Sequence, residues 1–540
     1  MIPTLFSAAL FLWVLYSPTP WRAGLSLLLS IASLLLNNRY NTGLLTYPGP
    51  FFASMTTAWR VRDAYVNGDK RPSYVALHRK YGDVVRLGPR ELSFASPAAI
   101  SDIYRPEKGM AKSAWYVAFE AHGKGHKKEN IFSTRDIHWH ARYRNLVGPG
   151  FQITNLAPKE REIDELMGKL LRNLTDASST NKKSIKASSS LIDLPLNLQY
   201  FTFDAGGVFA FSQPYGFLDQ KTDLDGIIQS VRVGSTHLNR LIGFLLSPQL
   251  QLAQAPLGQI FFDKNPLAVY GGFIAPPMAF AQKYLPVRRI KEQLSDSRKM
   301  GQHHDLLDQF LEAHKRNPEI VSQNELVDLG LMVVVPASEA VRTAIAVLIY
   351  QVLKAPERVL AKLRHELDSV IPADTNQDSG TPNIPPWALV STQLPYLDAC
   401  IKETFRIHPS TGFNMERVTP PGGAVIDSHF VPEDTVVSCS TWVIHRHKPT
   451  YGEDVETFRP ERWLEASRTQ RAEMERLLCP FGFESRLCLG REIGLFEVYK
   501  VGAVLLRDFD MALERPDEDM KITWGNIVSV DFNVWIKPRK

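Results

Sequence analysis

The sequence lacks the features that would make it a disulfide scaffold or a zinc protein. It has four cysteines, Cys400, Cys439, Cys479 and Cys488, all in the last third, with no Cys-x-x-Cys or zinc-ligand spacing among them. Spacing alone leaves a Cys479–Cys488 pair open in an oxidising compartment, beside the commoner state of buried, reduced thiols. Charge of one sign is also scarce: the net charge is +5 and basic residues are scattered among acidic ones. That argues against nucleic acid as a partner, because a phosphate backbone demands a concentrated cationic face. After the first fifty residues there is no Gly/Ser linker, charge block or repeat, so the rest of the chain reads as one large domain. A Gly-rich dinucleotide fingerprint and an appended flavin domain are not apparent either, so electrons for any redox chemistry are expected to come from elsewhere. What remains is 540 residues, 44% hydrophobic and 22% charged, enough apolar material for a large core and too much for a disordered chain.

Long apolar runs are confined to the N-terminus. Ile2 to Tyr16 is nearly all apolar, Pro18, Pro20 and Arg22 interrupt it, and Ala23 to Leu36 is apolar again. Neither run alone reaches the ~20 residues that span a bilayer. With no basic segment ahead of the first run, and Arg22, Asn37, Asn38 and Arg39 flanking the second, residues 1–45 read as a retained membrane anchor rather than a cleaved signal. Tyr47-Pro48-Gly49-Pro50 then forms a stiff turn, and residues 46–540 read as one large folded domain. The sequon Asn173-Leu174-Thr175 is expected to carry no sugar.

Coarse periodicity gives a mainly α (α+β) fold. Strand signals lie at Val84 to Leu87 and Leu92 to Ala95 around the Gly88-Pro89 turn, then at Val425 to Val437 and Val528 to Ile536. From about Glu160 to His365 apolar residues recur at helical spacing, the longest stretch being Glu325 to Leu353. Helices with a minor sheet component follow.

The most specific signal is Phe481-Gly482-Phe483-Glu484-Ser485-Arg486-Leu487-Cys488-Leu489-Gly490, with two glycines, an arginine and a cysteine at fixed offsets. It resembles the cysteine-ligand loop of cytochromes P450. The resemblance implies haem b held at the iron by the Cys488 thiolate, with Phe481 in the cofactor site and Arg486 directed to a haem propionate. One departure is Glu484, where the family usually has glycine, which questions the turn geometry at that point. Glu403-Thr404-Phe405-Arg406 places an acid and a base three apart on one helix face, and Phe458 to Trp463 resembles the family's segment that closes the pair into a Glu403, Arg406 and Arg462 triad. Met415-Glu416-Arg417-Val418 resembles the segment in which Arg417 reaches a propionate. Trp139 to Arg144 resembles the helix that supplies a donor and an arginine, matched by His140 and Arg144, although His138 and Arg142 share that spacing.

Val335 to Thr343 resembles the helix that crosses the oxygen side of the haem, with Glu339 as the family's acid and Ala340 in place of its usual alcohol. A methyl group cannot replace a hydroxyl without losing its hydrogen bond, so proton delivery falls to water, Ser338, Glu339 or a hydroxyl of the substrate. Pro336 removes a backbone N–H and is expected to kink this helix. The narrower pattern is most similar to fungal enzymes of the pisatin demethylase and benzoate hydroxylase kind. It implies a pocket around Trp115, Phe119, Val334, Ala337, Phe413 and Ile527 for a lipophilic secondary metabolite. The resemblance further implies O2 with electrons from an NADPH-cytochrome P450 reductase, membrane lipid as a partner, and an endoplasmic reticulum location with the domain facing the cytosol. Its rivals are an isomerase or dehydratase on the same fold, for which Ala340 is no handicap, and a non-catalytic haem-binding protein.

Overall fold

The computed structural model describes residues 20–57, 59, 73–119, 121–123, 126–128, 130–180, 190–232, 280, 283–296, 301–371, 383–525 and 527–539. The fold is helix-rich with small sheets, and the chain forms two compact units. The first comprises the described parts of Met1–Ile137 together with Asn414–Ile444; the second comprises those of His138–Leu238, Pro266–Phe413 and His445–Lys540.

The first unit is built on a sheet in which Val84–Gly88 pairs antiparallel with Glu91–Phe94, which lies parallel to Val436–Cys439, which in turn takes Arg417–Val418 antiparallel. Both faces of the first hairpin are covered, so its residues are all buried, including Arg86. That guanidinium has no carboxylate partner among the described residues. It donates instead to the carbonyls of Asn38, Arg39, Leu44, Ser54, Gly88 and Pro89 and to the Thr42 hydroxyl, which ties residues 38–54 to the hairpin. Burial, with Arg39 nearby, pushes its pKa down to about 10. The strand expected over Val425 to Val437 is divided into Ala424–Ile426, His429–Val431 and Val436–Cys439. Asp427 (φ 46°) and Ser428 (φ 64°) are both left-handed, as a two-residue hairpin turn requires.

Of the N-terminal segment, the second apolar run lies within a helix, Pro20–Tyr40, that exposes Trp21, Leu27, Leu28 and Leu36. The first run lies outside the described residues. No helix among the described residues is long and apolar enough to cross a membrane, so the expected transmembrane helix is not seen there.

The second unit is organised by the Gln323–Lys354 helix, which packs along Leu194–Phe211, Arg491–Asp508 and Pro395–Ile407. Leu194–Phe211 is apolar around nearly its whole circumference and accordingly almost wholly buried. Asp193 caps it by accepting the Leu196 N–H at 2.8 Å. The long helix continues on both sides of Pro336, which is exposed, so the expected kink does not end or divide it. The signal over Val528 to Ile536 resolves into two strands: Ser529–Asp531 pairs with Lys521–Thr523, and Asn533–Pro538 joins a separate sheet with Phe509–Leu513 and Ser190–Asp193. Asn173 of the sequon donates its side-chain amide to the Leu218 carbonyl at 2.8 Å, so a sugar there would break a contact of the folded chain.

Candidate active site

The cysteine loop is a chain reversal held by its own backbone. Cys488 N donates to the Phe481 carbonyl at 2.8 Å, Arg486 N to Phe483 at 3.1 Å and Leu487 N to Glu484 at 3.0 Å. Gly482 has φ 92°, a conformation glycine adopts freely. Glu484, standing where the family has glycine, nevertheless takes φ 45°, so the turn keeps the glycine geometry and the glutamate bears the strain. The loop feeds the Arg491–Asp508 helix, capped at Gly490. Cys400, Cys439 and Cys479 are buried and Cys488 is exposed, and all are free thiols, which settles against a Cys479–Cys488 disulfide. Cys479 instead lies against His445, whose Nε2 accepts the Cys479 backbone N–H at 2.9 Å. Although Cys488 is exposed on one side, the protein crowding the sulfur on the others pushes its pKa up, against the opposing pull of the Gly490 N–H and of Arg144.

From the Ile137–Val147 helix, Arg144 donates Nη1 to the Leu487 carbonyl at 2.6 Å, one residue before the sulfur. His140 on the same helix is buried, while His138 and Arg142 are exposed, so the structure turns inward the first of the two registers with this spacing. Phe481 is half-buried with its ring edge-on to Phe405, 5.4 Å between centroids. Arg486 is half-buried in the Glu484–Arg486 turn.

Glu403, Arg406 and Arg462 form a closed network. Arg406 grips Glu403 through Nε at 2.9 Å and Nη2 at 2.8 Å, and Arg462 Nε reaches the same carboxylate at 2.9 Å. The side chains of Glu403 and Arg406 are fully buried and that of Arg462 is 2% exposed. Two contributors escape a reading of the acid and bases alone: Trp463 Nε1 donates to Glu403 at 3.0 Å, and Asp454 accepts from Arg462 at 2.8 Å. Arg406 also donates to the carbonyls of His445 and Val455, which places the network directly behind the segment leading to the cysteine loop.

On the Gln323–Lys354 helix, Glu339 is buried and occupied. Arg342 donates Nη2 to Glu339 Oε2 at 3.0 Å, and Gln199 of the Leu194–Phe211 helix donates to Oε1. Arg342 stands three residues after Glu339, the spacing of Glu403 and Arg406; Gln199 carries no spacing signal, although a glutamine within an otherwise apolar helix is a residue worth explaining. Ala340, half-buried, offers no hydroxyl; the side chains of Val334, Ala337 and Ser338 lie outside the described residues.

Two segments proposed as pocket lining are brought together. Thr411 bridges Ile527, and Val528 N donates to the Ser410 carbonyl at 2.8 Å, so the turn leading to Phe413 lies against the strand end carrying Ile527. Gly412 permits this: a Cβ there would stand 2.2 Å from the Gly525 carbonyl oxygen. Phe413 and Ile527 are both half-buried. Trp115, Phe119 and Arg417 belong to the first unit. There Trp115 packs edge-on against Tyr116 at 5.0 Å, and the Phe119 side chain lies outside the described residues. Arg417 is buried over the Tyr104 ring at 5.0 Å, donates to the Glu416 carbonyl at 2.8 Å, and makes no ion pair among the described residues. No cluster of His, Cys, Asp and Glu among the described residues could hold a free metal ion.

Against known proteins, the family model described as Cytochrome P450 matches residues 59–531. The chain belongs to the cytochrome P450 family. It is similar to a cytochrome P450 monooxygenase of Aspergillus terreus, 32% identical over 86% of this chain and 90% of that one. It is also similar to cytochrome P450 monooxygenase asR2 of Sarocladium schorii, 29% identical over 88% of this chain and 89% of that one. Cytochrome P450 monooxygenase mfmA of Annulohypoxylon moriforme is 30% identical over 92% of this chain and 93% of its own length. The protein is therefore an enzyme, an oxidoreductase of the P450 monooxygenase class. None of these three relatives is named a pisatin demethylase or benzoate hydroxylase, so the finer resemblance stays a proposal.

Proposed function

We propose that the protein is a haem-thiolate monooxygenase that hydroxylates, desaturates or oxidatively rearranges a hydrophobic secondary metabolite, using O2 and electrons passed from NADPH by a separate reductase. The observation that carries this reading is the cysteine loop. Cys488 is the exposed member of the four cysteines, is presented at a helix start, and is fixed by Phe481 and Arg144 on either side. These residues fit haem: a sulfur open to a metal, a nearby backbone N–H to steady it, and Arg144, with no carboxylate partner among the described residues to compete with a propionate. Haem bound there supplies the dioxygen chemistry, with the thiolate donating electron density to the iron. The chain's own residues hold the loop that carries the sulfur. Within the second unit, Phe413, Ile527, Val334 and Ala337 are the residues proposed to face the ligand.

Membrane association at the endoplasmic reticulum, with the domain facing the cytosol, is supported by an apolar surface of the first unit. Trp21, Leu27, Leu28, Phe51, Phe52 and Phe430 are all exposed, and Arg39 stacks on Phe51 at 4.4 Å, a cation beside aromatics as at a lipid headgroup layer. The central test is the absorption spectrum of the reduced, carbon-monoxide-bound protein. A band shifted far to the red, lost in Cys488→Ser, is expected; no haem, or an ordinary band in both proteins, overturns the reading.

A second reading, an isomerase or dehydratase on the same scaffold, is favoured by one observation: Ala340 lacks the hydroxyl and both oxygens of Glu339 are already engaged. Product formed with NADPH and O2 withheld would establish it in place of the first.

A further inference from the structure

The Glu339–Arg342 pair reaches beyond its own helix. Arg342 is fully buried, and while Nη2 holds Glu339, Nη1 donates to the Val530 carbonyl at 3.0 Å and lies 3.8 Å from Asp531 Oδ1. The opposite oxygen of Glu339 takes the Gln199 amide, so the Glu339–Arg342 pair joins the long helix, the Leu194–Phe211 helix and the strand Ser529–Asp531. That strand is three residues long and pairs with the equally short Lys521–Thr523, so its own ladder gives it little purchase. It begins two residues after Ile527, which is proposed above to face the ligand. A planar fork can satisfy a carboxylate and a carbonyl at once, which a lysine ammonium at the same position cannot do with the same reach.

We propose that Arg342 is a positioning residue: it fixes the Ile527–Asp531 segment against the helix that carries Glu339, and so sets the wall that a lipophilic ligand meets. The same grip commits Glu339 to a structural ion pair and takes it out of proton delivery, leaving water, Ser338 or a hydroxyl of the substrate. The ligand half of this inference rests on the reading of the pocket given above. The mechanical half does not.

The test compares the full-length protein with Arg342→Lys, Arg342→Met and Glu339→Gln. Amide hydrogen exchange is followed by mass spectrometry, and the pocket is probed by spectral titration with imidazole and with 4-phenylimidazole. Losing one buried charge-assisted hydrogen bond predicts amide exchange in residues 527–531 faster on the order of tenfold, with the rest of the chain unchanged, in both arginine variants. Should Arg342→Met fail to fold, Arg342→Lys, which keeps the charge beside Glu339, decides the matter. Affinity for 4-phenylimidazole is expected to fall on the order of tenfold while imidazole, too small to touch the wall, stays within about twofold. Unchanged exchange in 527–531, or acceleration spread evenly over the chain, overturns the positioning role. Equal losses for the two probes overturn its link to the pocket. Exchange needs no haem, so a chain that lacked the carbon monoxide band would fail the functional reading while leaving this result to stand or fall by itself.

Discussion

Two glutamates in the second unit are each followed, three residues on, by a buried arginine, and the pairs end differently. Glu403 is saturated: Oε1 accepts from Arg406, Arg462 and the Arg459 backbone, and Oε2 from Arg406 and Trp463. Glu339 has one partner per oxygen, and around it Arg342 Nε, Gln199 Oε1 and Thr343 Oγ1 are buried without a hydrogen-bond partner among the described residues. The spacing is the same, so spacing is not what makes a lock. A fully satisfied buried network is rigid, whereas a partly satisfied one retains alternatives and room for an ordered water. The network behind the cysteine loop is thus the more rigid of the two, and the polar groups left without partners lie around Glu339.

The contrast can be broken most sharply at Glu403. Glu403→Ala leaves two buried guanidinium groups without their carboxylate and should cost ~3–5 kcal/mol, read as a lower denaturant midpoint together with loss of bound haem. Glu339→Gln should cost less, ~1–3 kcal/mol, because the amide oxygen can still accept from Arg342 and the amide NH2 can donate to Gln199 once the Gln199 amide turns its free oxygen toward it. A larger loss at Glu339 than at Glu403 would reverse the comparison. A third measurement concerns acid. Burial, then Arg406 and Arg446, hold the His445 pKa down to about 3, and its Nε2 must stay unprotonated to accept the Cys479 N–H. A folded-state value below the unfolded value of ~6.5 means that stability is complete above that pH and is lost as pH falls from there toward 3. Replacing His445 with Gln should flatten that part of the stability profile; an unchanged slope would clear His445 of the effect. The smallest expected effect is a gain. Glu484→Gly relieves a left-handed glutamate and should stabilise the loop by about 1 kcal/mol, visible as a slightly raised melting temperature.

What could be read from the sequence was what depends on local spacing. The cysteine loop, the Glu403–Arg406 pair and the first hairpin are contiguous motifs, and the hairpin boundaries fell within a residue of Val84–Gly88 and Glu91–Phe94. The register ambiguity at His140 and Arg144 was decided by burial, which spacing does not encode. The rest was hidden because its partners are remote. Ser190–Asp193 becomes a strand only by pairing with Asn533–Pro538, and Gln199 meets Glu339 across 140 residues of chain. The division of Val425 to Val437 was missed for another reason: Asp427 and Ser428 form a left-handed turn without the Asn-Gly or Asp-Gly signature that announces one.

Arg86 sets a limit on how the protein can be shortened. Its donors are filled partly by the carbonyls of Asn38 and Arg39 at the end of the apolar helix, and by Thr42 and Leu44 just beyond. Trimming the chain at Tyr40 to remove the greasy helix would take two of those acceptors away and leave a buried cation undersupplied. A cut at or before Asn37 keeps the whole set. The safe truncation boundary therefore falls inside the helix, where its apolar run ends and before Asn38, and not at the end of the helix itself.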